Sequence, residues 1–253
     1  MPRLVLLAHP AVASAVGREL GRDIEYHASL PSTQVRAREL ASLGASAGIV
    51  VANEQTAGQG THGRAWIAAA GMSLLASWIV RPAPAAPALF TALAGVAVAR
   101  ALAALGREGA SLKWPNDVEL DGRKVAGVLA HGASDGGGGL LVIGIGINVH
   151  QRELPAEIAR TATSLAIAGH PVDRLALLAR LTNELDRLAR ADQRVAAMSE
   201  WRARSTLLER AVAVRSGARE FSGTADSIDD EGALVVRTAD GVERVVSGEV
   251  RLA

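Results

Sequence analysis

The chain has 253 residues, 27 basic and 26 acidic side chains, a formal net charge of +1 and no cysteine. Near-neutral charge excludes the broad basic field of a non-specific nucleic-acid or membrane binder, and the lack of thiols excludes disulfides, thiolate metal sites and cysteine nucleophiles. With 49% apolar residues and an ordinary share of charged ones, the length suits one sizeable core plus a small second domain rather than a disordered chain.

Residues 1–22 read as a strand and a short helix and carry no motif. The apolar run Leu4–Ala8 is broken by His9-Pro10 and is too short for a signal peptide. This segment is also too short for a helix-turn-helix domain, so neither DNA binding nor a repressor role is expected. Ile24-Glu25-Tyr26-His27 predicts a strand. Ser32 or Thr33 then caps a helix running to about Leu43, with Val35, Leu40 and Leu43 among its apolar positions and Gly44 as its stop. Two hydroxyls at a helix N-terminus also offer donors to an anionic or carbonyl group, although taken alone they favour capping.

Ile49–Ala52 reads as a buried strand running into a glycine loop, Asn53–Trp66. Gly58, Gly60 and Gly63 permit close backbone approach, so successive N–H groups can form a nest for an anion. Arg64 could add bidentate contacts to phosphate. The loop is neither a Walker A sequence nor a dinucleotide fingerprint, and a plain surface loop is the bland alternative. Ser73–Val80 reads as another strand. From Ala88 to Leu105 the chain is apolar enough to suggest a membrane span. Arg100 interrupts it, and Phe90, Leu93, Ala94, Ala97, Val98 and Ala101 repeat at helical spacing, so a buried helix ending at Gly106 is expected instead.

The most informative stretch is Lys113–Leu129. It reads as a strand (Ser111–Trp114), a Pro-Asn-Asp turn, a short strand, an Asp121-Gly122 hairpin turn and a longer apolar strand. The chain's only lysines, Lys113 and Lys124, both fall here, while arginine supplies positive charge everywhere else. A guanidinium is no substitute for a compact ammonium that must approach a phosphoryl or carboxylate oxygen as a point charge. Two incidental surface lysines are the alternative.

Gly136–Gly139 predicts a flexible link into the apolar strand Leu140–Val149. Gly144 and Gly146 share one face of it, removing side chains where something must lie flat on the sheet. Asn148 ends that strand; with Asn53 and Asn116 it is one of three asparagines, of four in the chain, in the suspected segments. Residues 151–171 read as irregular. Asp173 caps a packing helix carrying Leu175, Leu178, Leu181, Leu185 and Leu188, and a further helix covers Val195–Trp201. The histidines show no metal-ligand spacing. From about Ser205 the chain breaks into short alternating strands separated by turns at Ser216-Gly217, Asp229–Gly232, Asp240-Gly241 and Ser247-Gly248. These predict an antiparallel barrel of about five strands. The expected domains are 1–204 and 205–253.

In order, Gln55–Trp66, Lys113–Asp117, Lys124–Leu129 and Gly144–Asn148 resemble the motif set of biotin protein ligases, and the resemblance runs from about Tyr26 to the C-terminus. It implies an α/β fold of the class II synthetase-like, biotin–lipoate ligase type: a mixed central sheet flanked by helices, with a small C-terminal SH3-like β-barrel. It also implies a cytoplasmic ligase forming a C–N bond. Biotin and ATP give biotinyl-5′-AMP, and biotin then passes to a lysine of a biotin carboxyl carrier protein domain. Mg2+ would arrive with ATP, near Asp117, with no certain metal site in the protein.

Residue by residue, the resemblance assigns Ser32, Thr33, Gln34 and Gln55 to biotin's ureido and carboxylate ends, and Gly58, Gln59, Gly60 and Thr61 to closure over biotin and adenylate. Arg64 would contact phosphate. Asn116 and Asp117 would position the nucleotide, its metal ion and the incoming amine, and Lys124 would neutralise the carboxylate and α-phosphate as they join. Trp66, Gly127, Gly146 and Asn148 complete the expected binding set, and Lys113 is assigned support. Gln59 and Thr61 stand where many family members have arginines, and Gln34 where Asn is common. Each lost charge-assisted contact would weaken adenylate retention by about 1–3 kcal/mol. Two other readings stand beside this one: a lipoate or octanoate transfer enzyme of related fold, and a biotin-responsive regulator that kept the pocket without catalysis. The residues leave the oligomeric state open, a homodimer included.

Overall fold

The structure, a computed structural model, describes residues 23–133 and 139–253. The expected N-terminal strand and helix and most of the glycine link at 136–139 lie outside them. The described elements run β1 (Ile24–His27), α1 (Thr33–Ser42), β2 (Ala47–Ala52), β3 (Ser73–Val80), α2 (Pro87–Ala103), β4 (Ser111–Lys113), β5 (Asp117–Leu120), β6 (Arg123–Ala133) and β7 (Leu140–Asn148). Then follow α3 (Arg174–Ala189), α4 (Arg194–Ala203), β8 (Ala211–Ser216), β9 (Arg219–Ile228), β10 (Leu234–Thr238), β11 (Gly241–Val245) and β12 (Glu249–Leu252).

Strands β1 to β7 form one sheet in the order β1-β2-β3-β7-β6-β5-β4. Only β1 and β2 pair in parallel, so the sheet is mixed. The Asp-Gly hairpin forms between β5 and β6, with Asp121 at φ 52° and Gly122 at φ 72°. Two successive left-handed residues are what a tight turn matching the sheet's twist requires. One face of the sheet packs on α2, which is apolar on nearly every side and is itself covered by α3 and α4. The other face carries α1 and the glycine loop, and this is the face that holds the site.

Helix α1 departs from expectation in two ways. Its buried residues are Thr33, Gln34, Ala37 and Ala41, while Leu43 is 80% exposed. The helix therefore packs a polar-and-small stripe against the sheet, which a search for large apolar residues misses. Ser32 occupies the N-cap position but makes no side-chain capping bond, and Thr33 directs its hydroxyl elsewhere. Asp173, by contrast, caps α3 as expected, accepting from the Ala176 N–H at 2.8 Å.

The last five strands form an antiparallel sheet in the order β11-β10-β9-β8-β12. Its edge strands β11 and β12 are not paired with each other, so the sheet is open. It shares one continuous apolar core with the larger sheet: Leu207, Val212, Val214, Ile228 and Leu234 join Leu112, Trp114 and Val118. The Trp114 indole N–H donates to the Gly232 carbonyl at 3.1 Å, and the Arg202 Nε–H to the Ile228 carbonyl at 2.7 Å. Among the described residues no helix is long and apolar enough to cross a membrane.

Candidate active site

Strand alternation decides which side chains meet. On β5, Val118 and Leu120 enter the core, so Asp117 and Glu119 project from the other face. Lys113 lies opposite Asp117 across β4 and β5, and Lys124 lies opposite Glu119 across β5 and β6. The two lysines thus share one sheet face with two carboxylates. Lys124 Nζ is 2.5 Å from Asp117 Oδ1, an ion pair off-axis for a hydrogen bond. Lys113 Nζ is 3.9 Å from Glu119 Oε1. Burial pushes the Glu119 carboxyl above its ordinary 4.5, and the Lys113 ammonium opposes that rise.

Gly127 and Gly146 are direct partners across β6 and β7, and together they make a bare floor on the same face. The Trp66 ring lies on this floor: a Cβ on Gly146 would sit 2.6 Å from Trp66 Cε2, and one on Gly127 3.0 Å from Cζ3. Of the two β7 glycines singled out for something lying flat, Gly144 is covered by the Gln34 side chain, whose Oε1 a Cβ there would meet at 2.4 Å, and Gly146 by this chain's own indole. Its Nε1 is buried without a partner, and Lys124 Nζ stands 5.7 Å from the ring centroid. The Trp66 backbone N–H donates to the Gly58 carbonyl at 2.9 Å, which ties the indole to the glycine loop.

The N-terminus of α1 meets the start of that loop. The Thr33 N–H and hydroxyl both donate to Gln55 Oε1, at 2.7 and 3.0 Å, and Ser77 Oγ donates to Thr33 Oγ1 at 2.9 Å. Ser32 is 2% exposed, and its hydroxyl has no hydrogen-bond partner. A buried hydroxyl left unmatched beside a helix N-terminus is a donor and acceptor held ready for a polar ligand. Gln34 is placed differently from expectation. Its amide bonds the Leu129 and Val142 carbonyls at 3.3 and 3.2 Å, with His131 Nδ1 at 3.3 Å. That amide is consumed in bracing α1 to the sheet beneath Gly144.

A cleft of about 800 Å3 opens between Gly58, Gln59, Gly60 and Arg64 of the glycine loop, Asn116, and His131 of β6. The N-terminus of α2 and the turns of the smaller sheet at Gly232 and Val246–Gly248 close its far side. Asn116 is fixed at its rim, donating to the Val128 carbonyl at 3.0 Å while accepting the Val128 N–H at 2.9 Å. Thr61 starts a short 3-10 turn, and Arg64 Nη2 donates to its hydroxyl at 3.2 Å. The Arg64 guanidinium also reaches Glu249 of β12 at 3.2 Å. His131 lines the cleft, and burial, assisted by Arg38, holds its imidazole below the ordinary 6.5.

Of the expected site residues, only Gly58 to Thr61, Arg64 and Asn116 line this cleft; Ser32, Thr33, Gln34, Gln55, Trp66, Asp117, Lys124, Gly127 and Gly146 lie outside its lining, as does Asn148. It is 7% exposed; its Nδ2 donates to the Thr163 carbonyl at 3.0 Å and its Oδ1 accepts from Gln151 at 3.2 Å. It anchors the irregular segment that follows β7. That segment runs back to Lys124, whose N–H donates to the Thr161 carbonyl and whose carbonyl accepts from the Thr163 N–H, each at 2.8 Å. Asn148 therefore supports the lysine from behind. Glu119 and Glu249 were not singled out from the sequence. Glu119 had a readable signal, a charged residue where β5 needs alternation; Glu249 had none, because its partner lies at the far end of the chain.

What the arrangement can do is bring positive charge, from Lys124 and Arg64, to a glycine floor and the cleft beside it; the N–H groups of Thr56, Ala57, Gly60, Arg64 and Trp66 are bonded to carbonyls of the chain, so they do not form the expected anion nest. It offers no nucleophile held by a base, so it fits positioning and charge stabilisation of an in-line substitution. Among the described residues there is no group of three or more His, Asp or Glu side chains able to cage a metal ion.

Similarity to known proteins points the same way. Residues 26–148 match the biotin/lipoate A/B protein ligase family, and residues 207–252 the biotin protein ligase C terminal domain. The Bacillus subtilis bifunctional ligase/repressor BirA is 33% identical over 245 residues, covering 92% of this chain and 75% of that protein. The Paracoccus denitrificans biotin–[acetyl-CoA-carboxylase] ligase is 33% identical over 235 residues, 87% of this chain and 96% of that one. Among solved structures, the biotin protein ligase from Aquifex aeolicus in complex with biotin and ATP superposes with a TM-score of 0.80 at 26% identity, over 92% of this chain and all of that one. The Leishmania major enzyme in complex with biotinyl-5-AMP gives 0.60 at 26% identity, over 89% and 99% of the two chains. With both parts of the chain matched, and a relative matched over nearly its whole length, the protein belongs to the biotin protein ligase family.

Proposed function

We infer that the chain is a biotin–protein ligase working in two steps. In the first, a biotin carboxylate oxygen attacks the α-phosphorus of ATP, forming biotinyl-5′-AMP and releasing pyrophosphate. In the second, the amine of an acceptor lysine attacks the acyl carbon, AMP leaves, and the amine's proton goes to solvent. The observation that carries this reading is the meeting of Lys124, Asp117 and the Trp66-covered glycine floor beside the loop that starts at Gln55.

Each site residue takes a role that its surroundings support. Ser32, with its unmatched hydroxyl, and Thr33 with Gln55 would receive biotin's polar ring, and Gly58 to Thr61 would close over it. Trp66, over Gly127 and Gly146, would press on biotin's apolar part. Lys124 would neutralise the two anions as they approach, Asp117 would orient Lys124, and Asn116 and Arg64 at the cleft would meet the nucleotide and its phosphates. Mg2+ would enter with ATP; such an ion keeps several waters and takes one or two carboxylates plus phosphate oxygens, and Asp117 is the carboxylate at hand. Gln34 and Asn148 act as supports.

We also propose that residues up to 204 form the catalytic domain and 205–253 an SH3-like unit, a division consistent with the two family matches. The acceptor would be the biotin carboxyl carrier domain of a carboxylase, and the reaction would be cytoplasmic, where ATP and that carrier are found together. Lipoyl transfer is the weaker reading, since the match at residues 207–252 is to a biotin ligase domain. The test is incubation with biotin, MgATP and a carrier domain, followed by mass spectrometry of the carrier. A biotinylated lysine is expected; no product would sink the reading, and lipoylation under matched conditions would replace it.

A further inference from the structure

Two lysines and two carboxylates share one face of β4, β5 and β6, and their pairing is not the one that register alone favours. Lys113 lies directly across from Asp117, the closest cross-strand relation on this face. Yet the Lys113 ammonium sits 3.9 Å from Glu119, and Asp117 is 2.5 Å from Lys124. Glu119 is 8% exposed, an unusual place for a carboxylate unless its charge is matched. The charged groups that act on it are Lys113 from β4, Asp117 on its own strand and Lys124 from β6, and the Thr206 side chain, from the segment leading to β8, hydrogen-bonds it.

We propose that Glu119 is a positioning residue: it draws the Lys113 ammonium away from Asp117 and so leaves Asp117 paired with Lys124 alone. Without a charge at position 119, the carboxylate that faces Lys113 directly across the strands is Asp117. Two ammonium groups then share one anion, repel each other, and Lys124 loses the orientation from which it meets the reacting carboxylate and α-phosphate. On this account the lysines that stood out in the sequence are a matched set. One has the chemistry, the other has to be kept from its partner, and Glu119 keeps it there. The inference rests on the catalytic reading of Lys124.

The test is a double-mutant cycle read in the adenylation half-reaction, by pyrophosphate release, with thermal melts as a check on folding. Glu119→Gln should lower kcat about tenfold while leaving the KM for biotin unchanged, as expected for a misplaced catalytic group. Lys113→Met closes the cycle, and Lys113→Met with Glu119→Gln should return to within about twofold of parental, because the competitor is gone. A purely structural Glu119 would not be rescued by removing a lysine. Lys124→Ala is run alongside. If it is slow but Glu119→Gln matches the parent, or if the folded double variant is as slow as Glu119→Gln, the proposal is overturned and the reading of Lys124 stands. Full activity of Lys124→Ala overturns both. Should Glu119→Gln not fold, the double variant decides, since it leaves a neutral pair of similar shape in place of the ion pair; parental kcat supports the proposal and a slow, folded protein refutes it.

Discussion

Replacing Gly146 by alanine tests the floor of the site most directly. The added Cβ would lie 2.6 Å from Trp66 Cε2, 2.7 Å from Cζ2 and 3.0 Å from Cδ2. Carbon atoms in contact settle at about 3.5–4.0 Å, so the indole must retreat by about 1 Å. The Trp66 backbone leaves it little room to shift as a whole. The Trp66 N–H is bound to the Gly58 carbonyl, and Gly58 is packed so tightly that its own Cβ would meet the Trp66 carbonyl at 2.4 Å. The displacement therefore passes into the loop expected to close over biotin. Overpacking of this size costs about 1–3 kcal/mol, which corresponds to roughly a 5- to 150-fold loss if it falls on binding. We expect biotin affinity, measured by isothermal titration calorimetry, to fall within that range. In a Trp66→Ala background the same substitution should cost almost nothing further. Parental affinity for Gly146→Ala in the Trp66 background would show that the ring does not rest on the sheet when ligand binds, and the assignment of Trp66 would be refuted.

Other perturbations have signs that can be fixed in advance. Ser32→Ala removes a buried hydroxyl that has no partner, so the ligand-free protein should gain about 1 kcal/mol while biotin binding weakens by about as much; equal-sign changes in melting temperature and affinity would contradict this. Glu249→Gln weakens two ion pairs, to Arg64 and to Arg215, whose side chains are 62% and 54% exposed, so stability should change by no more than about 1–2 kcal/mol. The KM for ATP should nevertheless rise severalfold as Arg64 loses its orientation; a fall in KM would mean that Glu249 competes with phosphate for the guanidinium. His131 has a folded-state pKa below 6.5, so its unfolded form binds the proton first as pH drops. Its contribution to stability is thus complete above pH 6.5 and declines below it until the folded form also protonates. Melts of His131→Gln should lose that part of the acid slope, and an unchanged slope would remove His131 from the account.

Elements with a strong local signal were legible in the sequence. The Asp121-Gly122 hairpin, the glycines of β7, the buried α2 and the turns of the last five strands follow from positive φ demands and periodicity that neighbouring residues express. Asp117 and Lys124 were each singled out in the sequence, but their pairing across the hairpin that carries both was not. Polar packing was not legible. Ser32 and Thr33 look like caps, but the partners that claim or decline them, Gln55 and Ser77, arrive from other segments. Leu43 looks like core because a window cannot see that α1 packs through Ala37 and Ala41. Gln34 and Asn148 are the same lesson on the sheet: the carbonyls their amides hold come from segments that a local window does not contain.

The core shared by the two sheets bears on how the molecule comes apart. Because Val212, Val214 and Leu234 pack in the same apolar body as Leu112 and Trp114, neither part has a surface it can expose cheaply. Calorimetry should record a single cooperative transition, and a fragment of residues 205–253 should be unstructured in isolation. Gly232 adds a steric lock, since a Cβ there would press on the Ala88 carbonyl at 2.7 Å. Residues at the end of the chain thus complete a structure whose framework is laid down much earlier. During synthesis, the chain up to β7 would wait, with an apolar face uncovered, until its last strands emerge.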